Sequence, residues 1–585
     1  MYRILKKKIV WGVIVSSIVF NLHGQQLDQI GKKGGVRLSG GLGLSSSYYL
    51  ADAETNRQSP FLYSISGNLD LNLYGWSLPF TVSYSNRKFS TGQPFNIVGV
   101  SPTYKSLTMH IGVRNMTFSP YTLAGHSFLG GGLEYSFSKV GIAVKAMGGR
   151  FMKAIEPGYD SIYGVQLPSF ARVGGGLMLS YTKNSSQVAI ICFHAQDIKQ
   201  SLAIDVDSLG IVPQSNTVYS LSLKKSINSL LTVYGEAAFS GWTKNTGDSV
   251  ISDEQTFTKS IFFIPITTST FFYNAYKAGL DLNFKVFSIG TSYQRVEPEF
   301  HTLGVYNVAS DFENVTLNAS TALFKKNLTL SGSFGLQRDD LNKTNASSMN
   351  RFVGSANVAI KPNEKLQLTF NYSGFNAVTK VKSVEDEYIE NTVYDQLDTM
   401  NYIQVTSSVN GSVSYKILEN DKVVHSVSDN ASYQKADSEQ GDMRFGNSLI
   451  NNTIQYMLSL KETGVNLGLS MNVNRSFYEA TDASYLGVGI TTSVPAVKKK
   501  LRISLGVNGS NNYENGSKTA MLYSVNNSYS LRLGKSHSFS ASVRYSGRQK
   551  FADAEHSNYN TNLNEFTFAL GYKYNFALKR KEKVQ

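Results

Sequence analysis

Strict alternation of side-chain character along short segments is the feature that most constrains what this chain can fold into. In NEFTFALGYKYNF, residues 564–576, an aromatic residue or leucine occupies every second position from Phe566 to Phe576, and small or polar residues lie between them. A period of two is that of a β-strand, whose successive side chains point to opposite faces. The apolar face of such a strand meets a second sheet in a soluble sandwich and lipid in a membrane barrel, and this stretch alone favours neither.

The links between consecutive segments of this kind are short and long in turn. Tight links such as KPNEK (361–365) and KETG (461–464) take turns with longer, Asn- and Ser-rich links such as 434–449, 474–484 and 510–522. An up-and-down barrel in an outer membrane has this arrangement, with short periplasmic turns and long external loops. A tandem array of soluble β-sandwiches gives no reason for such sorting and is the less favoured alternative. The sequence therefore predicts an all-β protein with a single large antiparallel up-and-down transmembrane β-barrel.

The number of strands is constrained by parity. Segments with the alternating pattern between 36 and 576 number 25. Bacterial single-chain barrels have even strand numbers, so one strand is missing or spurious, and applying the turn rule from each end places the error within 80–137. We therefore predict 24 to 26 strands. Only about eleven residues separate Gln25 from the first strand at Val36, which predicts that no plug domain precedes the barrel.

The first residues have the pattern of an export signal. Arg3 and three lysines precede a twelve-residue apolar stretch that ends at Phe20, and this stretch is too short to span a bilayer as a helix. We expect a signal peptide at 1–24, a short lead at 25–35, the barrel at 36–576 and a basic tail at 577–585. The predicted location is the outer membrane, reached through the general secretory pathway.

No pattern for catalysis, a cofactor or a metal site is found. The histidines lack paired-ligand spacing such as HExxH, and the single cysteine, Cys192, lies in the apolar stretch AIICFHA. The formal net charge of +14 would suit nucleic-acid binding, but export argues against it. We therefore expect a protein that is not an enzyme and has no nucleic-acid partner.

Four stretches have distinctive sequences: QPFNIVGVSPTYKSLTMHIGVRNMTFSPYTLAGHSFLGGGLEYSF (93–137), YQRVEPEFHTLGVYNVASDFENVTLN (293–318), GLQRDDLNKT (335–344) and YDQLDTMNYIQVTSSVN (394–410). Together they resemble a group of large outer-membrane β-barrel proteins of Bacteroidota whose function is undefined beyond outer-membrane residence. The resemblance implies the same location. Expected partners of such a barrel are membrane lipid, lipopolysaccharide and the barrel-insertion machinery.

The segment FSPYTLAGHSFLGGG, residues 118–132, is the first candidate site. Proline interrupts a strand and glycines permit close backbone approach, so we predict an inward-folded constriction loop; an ordinary loop on the barrel rim is the alternative. The predicted constriction residues are Pro120, Tyr121, His126, Gly130, Gly131 and Gly132.

A set of charged residues on neighbouring segments is the second candidate site. A charge on the lipid face of a barrel is unfavourable by about 2–4 kcal/mol for Arg or Lys near the midplane, so these residues should face the lumen or lie at the outer rim. A solute-selecting eyelet is one interpretation, and a fully paired network that holds the loops together is the favoured one. The predicted lumen charges are Arg295, Glu297, Glu299, Asp311, Glu313, Arg338, Asp339 and Asp340.

The expected barrel is wide enough to leak, since barrels of 16–18 strands already leave an aqueous channel. Either its own loops fold inward, with 87–129, 241–272 and 374–404 as the long candidates, or a partner protein fills the lumen or holds the outer loops. The first case predicts a loop-gated channel or transporter for polar or anionic solutes. The second predicts a non-enzymatic outer-membrane scaffold or a component of secretion or assembly.

Overall fold

The computed structural model describes residues 36–52, 59–86, 97–160, 164–203, 210–251, 264–342, 350–380, 401–440, 443–478, 481–551 and 562–579. Their regular structure is almost entirely strand, with single 3₁₀ turns at Lys199–Ser201 and Phe324–Lys326. Within these ranges no helix combines the length and the apolar character needed to cross a membrane.

The strands of the first half precede the link that starts at residue 244. They are β1 (Arg37–Ala51), β2 (Phe61–Leu73), β3 (Trp76–Ser85), β4 (Ile97–Val100), β5 (Thr103–Tyr104), β6 (Leu107–Asn115), β7 (Ser127–Phe137), β8 (Ile142–Met152), β9 (Gly158–Asp160), β10 (Gly164–Gln166), β11 (Ala171–Lys183), β12 (Ser186–Ile198), β13 (Ser215–Ser226) and β14 (Leu231–Thr243).

The strands of the second half are on average longer. They are β15 (Thr270–Asn283), β16 (Phe287–Val296), β17 (Phe312–Leu323), β18 (Leu328–Asp339), β19 (Asn350–Ile360), β20 (Leu366–Lys380), β21 (Asn401–Glu419), β22 (Val423–Gln440), β23 (Met443–Leu460), β24 (Val465–Tyr478), β25 (Thr481–Ala496), β26 (Leu501–Glu514), β27 (Ser517–Leu533), β28 (His537–Lys550) and β29 (Leu563–Lys579).

These strands form one closed antiparallel barrel. Each strand pairs with its neighbour in the chain, and β1 pairs with β29 from Arg37↔Lys579 to Ala51↔Glu565, which closes the sheet. The short β4 and β5 share one position between β3 and β6, so the described chain has 26 barrel positions, while β9 and β10 form a separate hairpin. The prediction of a single large up-and-down barrel with 24 to 26 strands is confirmed.

The strand that the sequence pattern missed lies inside the segment where parity failed. It consists of β4 and β5, which are separated by Ser101 and Pro102. Proline has no N–H to give to a β-ladder, and the interruption leaves pieces of four and two residues, too short to show a period. The last strand also extends three residues beyond the predicted end of the barrel at Phe576, to Lys579.

The barrel has two different ends. At one, which we call the turn end, hairpins close through a few residues, as at Tyr74–Gly75 and Asn184–Ser185, and β1 begins and β29 ends there. At the other, the loop end, several links are long, such as 297–311 between β16 and β17. The predicted sorting of short and long links therefore holds for most of the barrel.

Three predicted long loops are instead continuations of strands. Residues 434–449, 474–484 and 510–522 lie largely in β22–β27. The link between β26 and β27 is the two-residue turn Asn515–Gly516, with φ of 49° and 81°. Asn-Gly with two positive φ angles is the preferred two-residue hairpin turn, because its twist matches that of the strands. Polar composition marked these segments as loops, although they are paired backbone.

The two faces of the wall differ in chemistry. Large apolar side chains that are more than a third exposed fall at alternate positions, for example Leu42 and Leu44 on β1 and Leu467 and Leu469 on β24. These rows form the outer face. The intervening inner positions in β20–β25 are mostly Ser, Asn, Thr, Gln and Gly, and Thr453 of β23 donates to Asn472 Oδ1 of β24 at 2.9 Å.

Candidate functional site: two loops packed inside the barrel

Two links from the loop end pack against the inner wall, and we call them the inner loops. They are residues 116–126, between β6 and β7, and residues 297–311, between β16 and β17. One buried cluster joins Met116, Phe118 and Leu123 of the first loop and Leu303 of the second to inner-face residues of β7, β8 and β12, among them Phe128, Met147, Phe151, Ile191, Phe193 and Ala195. The loops therefore cover one side of the lumen with an apolar layer.

A second cluster continues this layer along the wall. Tyr121 of the first loop and Phe300 of the second lie with Val218 of β13, Ala238 of β14 and Ala275 of β15. The rings of Tyr121 and Phe300 meet edge to face, with centroids 6.0 Å apart. Burial, with the negative charge of Glu236 as a smaller cause, raises the pKa of Tyr121 to about 12. Its hydroxyl is therefore neutral at any physiological pH.

The inner loops are fastened to each other through backbone. Leu123 and Gly304 form a parallel β-bridge, and the N–H of Ala124 donates to the Gly304 carbonyl at 3.2 Å. The Thr302 hydroxyl donates to the Thr122 carbonyl at 2.7 Å, and both threonines are buried. The two loops therefore behave as one layer.

Glycines in the wall make room for the first loop. A Cβ at Gly132 of β7 would lie 2.5 Å from Met116 Sδ, and one at Gly176 of β11 would lie 2.6 Å from Phe118 Cε2. Ordinary side chains at these two positions would therefore force Met116 and Phe118 to move from their places against the wall.

Asn216 of β13 ties the second loop to the wall. Its Nδ2 lies 2.9 Å from Ser240 Oγ and 3.4 Å from the His301 carbonyl, and its Oδ1 accepts from Leu303 N–H at 3.2 Å. The Ser240 hydroxyl also donates to the His301 carbonyl, at 2.6 Å. Because Asn216 is fully buried, its removal would leave polar groups of loop and wall without partners, at about 1–3 kcal/mol for each.

Two histidines of the inner loops are held neutral. The His126 ring packs between Phe151 and Tyr306, with ring centroids 5.0 and 4.0 Å away. Burial lowers its pKa to about 4. The His301 ring stacks on Trp242 of β14 at 4.2 Å, and burial, with the charges of Arg172 and Lys244 as smaller causes, lowers its pKa to about 3.

The predicted constriction residues divide between loop and wall. Pro120, Tyr121 and His126 lie in the first inner loop, with Pro120 exposed and the other two buried. Gly130, Gly131 and Gly132 lie in β7, so assigning the whole of 118–132 to a loop was wrong. The apolar residues of LGGGLEYSF could have indicated a strand here, because Leu129, Leu133 and Phe137 lie on one face and are exposed on the outside of the barrel. Gly130 and Gly132 therefore face inward and Gly131 outward.

Three of the predicted lumen charges lie on the outer face. Arg295, Glu313 and Arg338 share a face with Tyr293, Val315 and Leu336, which are exposed apolar residues of β16, β17 and β18. Glu313 Oε2 accepts from Arg295 at 3.0 Å and from Arg338 at 2.9 Å. The lumen assignment of these three was therefore wrong, while the alternatives of a position at the rim and of a paired network describe them, since each lies one residue from the loop-end terminus of its strand.

The other five predicted charges lie near the loop end, in the second inner loop or at the end of β18. Glu297 accepts from the backbone and side-chain amides of Asn274, and Glu299 from Lys244 and Tyr273. Asp311 is buried and accepts from Leu341 N–H at 2.9 Å. Asp339 ends β18 and Asp340 is buried directly after it. Glu297 and Glu299 thus tie the second inner loop to β15, and Asp311 ties it to the backbone after β18.

The second inner loop was not among the links predicted to close the barrel. Apolar residues in the loop could have indicated its packing, because Phe300, Leu303 and Val308 occupy a link that would otherwise be expected to face water. Of the predicted closing links, 87–129 contains the first inner loop, and residues 87–96, 252–263 and 381–400 lie outside the described residues. From 241–272, Ile264 and Ile266 are buried.

Catalytic or metal-binding groupings do not emerge from the described residues. No three His, Cys, Asp or Glu side chains in them are close enough to hold a metal ion. Cys192 alternates with the buried Ile191 and Phe193 and is on the outward side of β12.

Comparison with known proteins identifies no family. No family model matches the chain, and no curated protein matches it. Among solved structures, the P pilus usher PapC translocation pore is 13% identical, covering 92% of this chain and 99% of its own, with a TM-score of 0.36. The copper transporter OprC is 9% identical, with 94% and 81% covered and a TM-score of 0.40.

A third similar structure is the FrpB iron transporter from Neisseria meningitidis, which is 10% identical, with 93% and 83% covered and a TM-score of 0.38. All three comparisons are distant, and the description of the barrel rests on the strand pairing given above.

Proposed function

We propose that this protein is an outer-membrane channel or transporter for polar or anionic solutes, gated by the inner loops. The observation that carries the proposal is the asymmetric lumen. An apolar layer of loop covers the wall at β7, β8 and β12–β15, and small polar side chains line β20–β25. A barrel of 26 positions is wider than those that already leave an aqueous channel. Loops that pack inside it restrict that opening.

The outer face supports a membrane location. Exposed Leu, Val, Ile, Phe and Tyr recur at alternate positions around the barrel, including β1, β13, β24 and β28. Such a band would be unfavourable in water and is favourable in hydrocarbon, where a closed barrel also pairs its backbone groups. We infer that the chain is exported and resides in the outer membrane, in contact with lipid and lipopolysaccharide.

The manner of fastening supports gating rather than permanent closure. The second inner loop is tied to the wall through hydrogen bonds of Asn216 and Ser240, and through Glu297 and Glu299, which accept from β15. It is tied to the first loop through Thr302 and the backbone of Leu123–Gly304. Each such bond contributes about 0.5–1.5 kcal/mol net. All of these contacts are noncovalent, so a solute or partner opens the gate if it stabilises the open state by more than the bonds and the apolar packing together stabilise the closed one.

Single-channel recording tests the proposal. Replacing Ser119–Gly125 with a short Gly-Ser link leaves β6 and β7 intact and removes Tyr121 and Leu123 from the apolar layer, while Met116 and Phe118 remain. We expect higher conductance in planar bilayers and faster solute uptake into proteoliposomes than with the parent. The control inserts the same Gly-Ser link at the Asn515–Gly516 hairpin tip, which should change neither.

One outcome would reject gating by these loops. If the folded 119–125 variant keeps the parent's conductance and uptake, or if both proteins stay silent, the lumen is closed by something else. The remaining candidate is then a scaffold or secretion component whose lumen or loops hold a partner protein, and copurification from the native membrane would test it.

A further inference from the structure

A row of basic side chains lies along the inner wall, on the side of the barrel away from the inner loops. It consists of Arg502 on β26, Arg532 on β27, Arg544 on β28 and Lys573 on β29, and we call it the basic strip. All four side chains are exposed. Each alternates with exposed apolar residues of the outer face, such as Leu505, Leu533, Tyr545 and Leu570, so all four point into the lumen.

The register brings the members of the strip together. Ser538 of β28 lies opposite both Arg532 and Lys573, which places these two cations on either side of one serine near the turn end. Arg502 lies opposite Ser530, one inward position from Arg532 along β27. Arg544 is six residues beyond Ser538, about 20 Å along the strand at roughly 3.3 Å per residue. The strip therefore extends from the turn end to the middle of the barrel.

Few carboxylates are available to neutralise it. The described residues of β26–β29 include two, Glu514 at the hairpin tip and Glu565 near the loop end, where Glu565 accepts from the Tyr49 hydroxyl at 2.6 Å. Two cations elsewhere on the inner wall are paired: Arg172 binds Asp197 at 2.8 Å, and Lys145 binds Glu134 at 2.9 Å. Among the described side chains, none forms an ion pair with the four members of the strip.

Hydroxyl groups surround the turn-end part of the strip. A cavity of about 590 Å³ in the wall is lined by Arg502 and by serines, among them Ser504, Ser530 and Ser540. Arg502 Nη1 donates to Ser493 Oγ at 2.9 Å. Guanidinium and hydroxyl groups donate hydrogen bonds to carboxylate and phosphate oxygens, and the charge-assisted ones are about twice as strong as neutral ones. The wall thus offers donors and positive charge to an anion.

We propose that the basic strip is the permeation path for anions and makes the lumen anion-selective. This inference rests on the proposed channel function and specifies its substrate class as solutes carrying carboxylate, phosphate or sulfate groups. A groove lined by charge of one sign raises the local concentration of the opposite ion. Cations would pass poorly beside four positive groups on one wall, while neutral β20–β25 would not distinguish the two signs.

The test is the ion selectivity of the full-length protein in planar bilayers under a KCl gradient. It compares the parent with the combined variant R502Q, R532Q, R544Q and K573Q, each also carrying the Gly-Ser link at 119–125 so that a closed gate cannot hide selectivity. We expect the parent to be more permeable to chloride than to potassium. The chloride-to-potassium permeability ratio of the variant should be at least about threefold lower than that of the parent. Millimolar phosphate should reduce chloride current through the parent and not through the variant.

Two matched controls exclude a general charge effect. Arg475→Gln removes a cation from the outer face, where it pairs with Asp482 at 2.6 Å, and Lys416→Gln removes one that pairs with Glu419 at 2.8 Å. Neither should alter selectivity.

The possible failures are distinguishable. Unchanged selectivity in a folded, conducting variant would overturn the anion path and leave the channel in place. Absence of conductance from every folded protein would overturn the channel and the anion path together.

Discussion

At the residue scale, a side chain in this wall is defined by its face. Leu570 of β29 is 47% exposed on the outer face, whereas its neighbour Ala569 faces inward, opposite Ser47 of β1 and Ser542 of β28. One step along the strand thus changes the surroundings from an apolar band to a hydroxyl-lined lumen.

Lysine substitutions at these two positions should therefore differ. We expect Leu570→Lys to lower the free energy of unfolding in lipid vesicles by about 2–4 kcal/mol, because it places a charge in hydrocarbon, and Ala569→Lys to lower it by less than about 1 kcal/mol, because water can solvate the lumen position. Equilibrium unfolding in urea would measure both. Equal losses for the two variants would contradict the assignment of faces.

Asn216 carries a prediction about gating. Asn216→Ala removes the wall side of the bonds to His301 and Leu303, so the second inner loop should leave the wall more often. We expect more frequent open events in single-channel records, with an unchanged maximal conductance because the loop itself remains. Asn472→Ala, on the side of the lumen away from the loops, is the control. Identical gating in the two variants would mean that Asn216 only stabilises the wall.

The two histidines of the inner loops, His126 and His301, predict sensitivity to acid. In the packed loops the pKa of His126 is about 4 and that of His301 about 3, whereas a released loop should return them to about 6.5. Since the released state binds more protons below pH 6.5, packing is most stable above that pH and weakens as pH falls toward 4. The loss is at most about 2 kcal/mol per histidine at pH 5.

Conductance should accordingly increase between pH 7 and pH 5. His126→Gln combined with His301→Gln should reduce this response, because neither replacement titrates in that range. A parent channel whose conductance does not change over this interval would contradict the coupling between protonation and loop release.

At the element scale, the sequence could predict strands wherever the two faces differ strongly. The row Val465, Leu467, Leu469, Met471 and Val473 marks β24, because its outer positions are apolar and its inner ones are polar or glycine. The same parity could have placed Arg295, since Phe287, Ile289 and Tyr293 precede it in one row.

Other elements could not be recognised from local pattern. The β4–β5 strand is broken by Pro102, and the extended hairpin of β26 and β27 beyond the apolar band is polar on both faces. The packing of the inner loops depends on contacts such as Gly132 with Met116 and Asn216 with Leu303, which are distant in sequence and become neighbours only when the barrel closes.

The outer-face ion network links three strands and carries an element-scale prediction. Glu313→Gln on β17 leaves Arg295 and Arg338 of the flanking strands as neighbouring like charges. We expect a loss of about 1 kcal/mol in unfolding free energy at low salt, and a smaller loss in 0.5 M salt because the groups are partly exposed. Asp482→Asn, which breaks a pair with a single partner, should cost less. A salt-independent effect would exclude an electrostatic origin.

At the scale of the whole molecule, closure depends on the seam between β1 and β29. The seam has 15 paired positions, from Arg37↔Lys579 to Ala51↔Glu565, and three of them lie beyond Phe576. Any strand edge left open in hydrocarbon carries unsatisfied backbone groups, each unfavourable by several kcal/mol. The length of the seam therefore determines whether the barrel is a stable membrane structure.

Two truncations test this dependence. A chain ending at Phe576 loses Arg37↔Lys579, Leu38↔Leu578 and Ser39↔Ala577, and keeps twelve of the fifteen pairs. A chain ending at Asn562 loses β29 entirely, which opens the edges of both β1 and β28. We expect the first to reach the outer membrane and to migrate faster on SDS gels before heating than after it, as a closed barrel does. The second should be recovered as unfolded or degraded protein, because two full strand edges would face lipid.

Two results would change this view of the seam. If the chain ending at Phe576 also fails to fold, the last three pairs or the residues after them are needed for insertion. If the chain ending at Asn562 still folds in the membrane, the seam does not close the barrel.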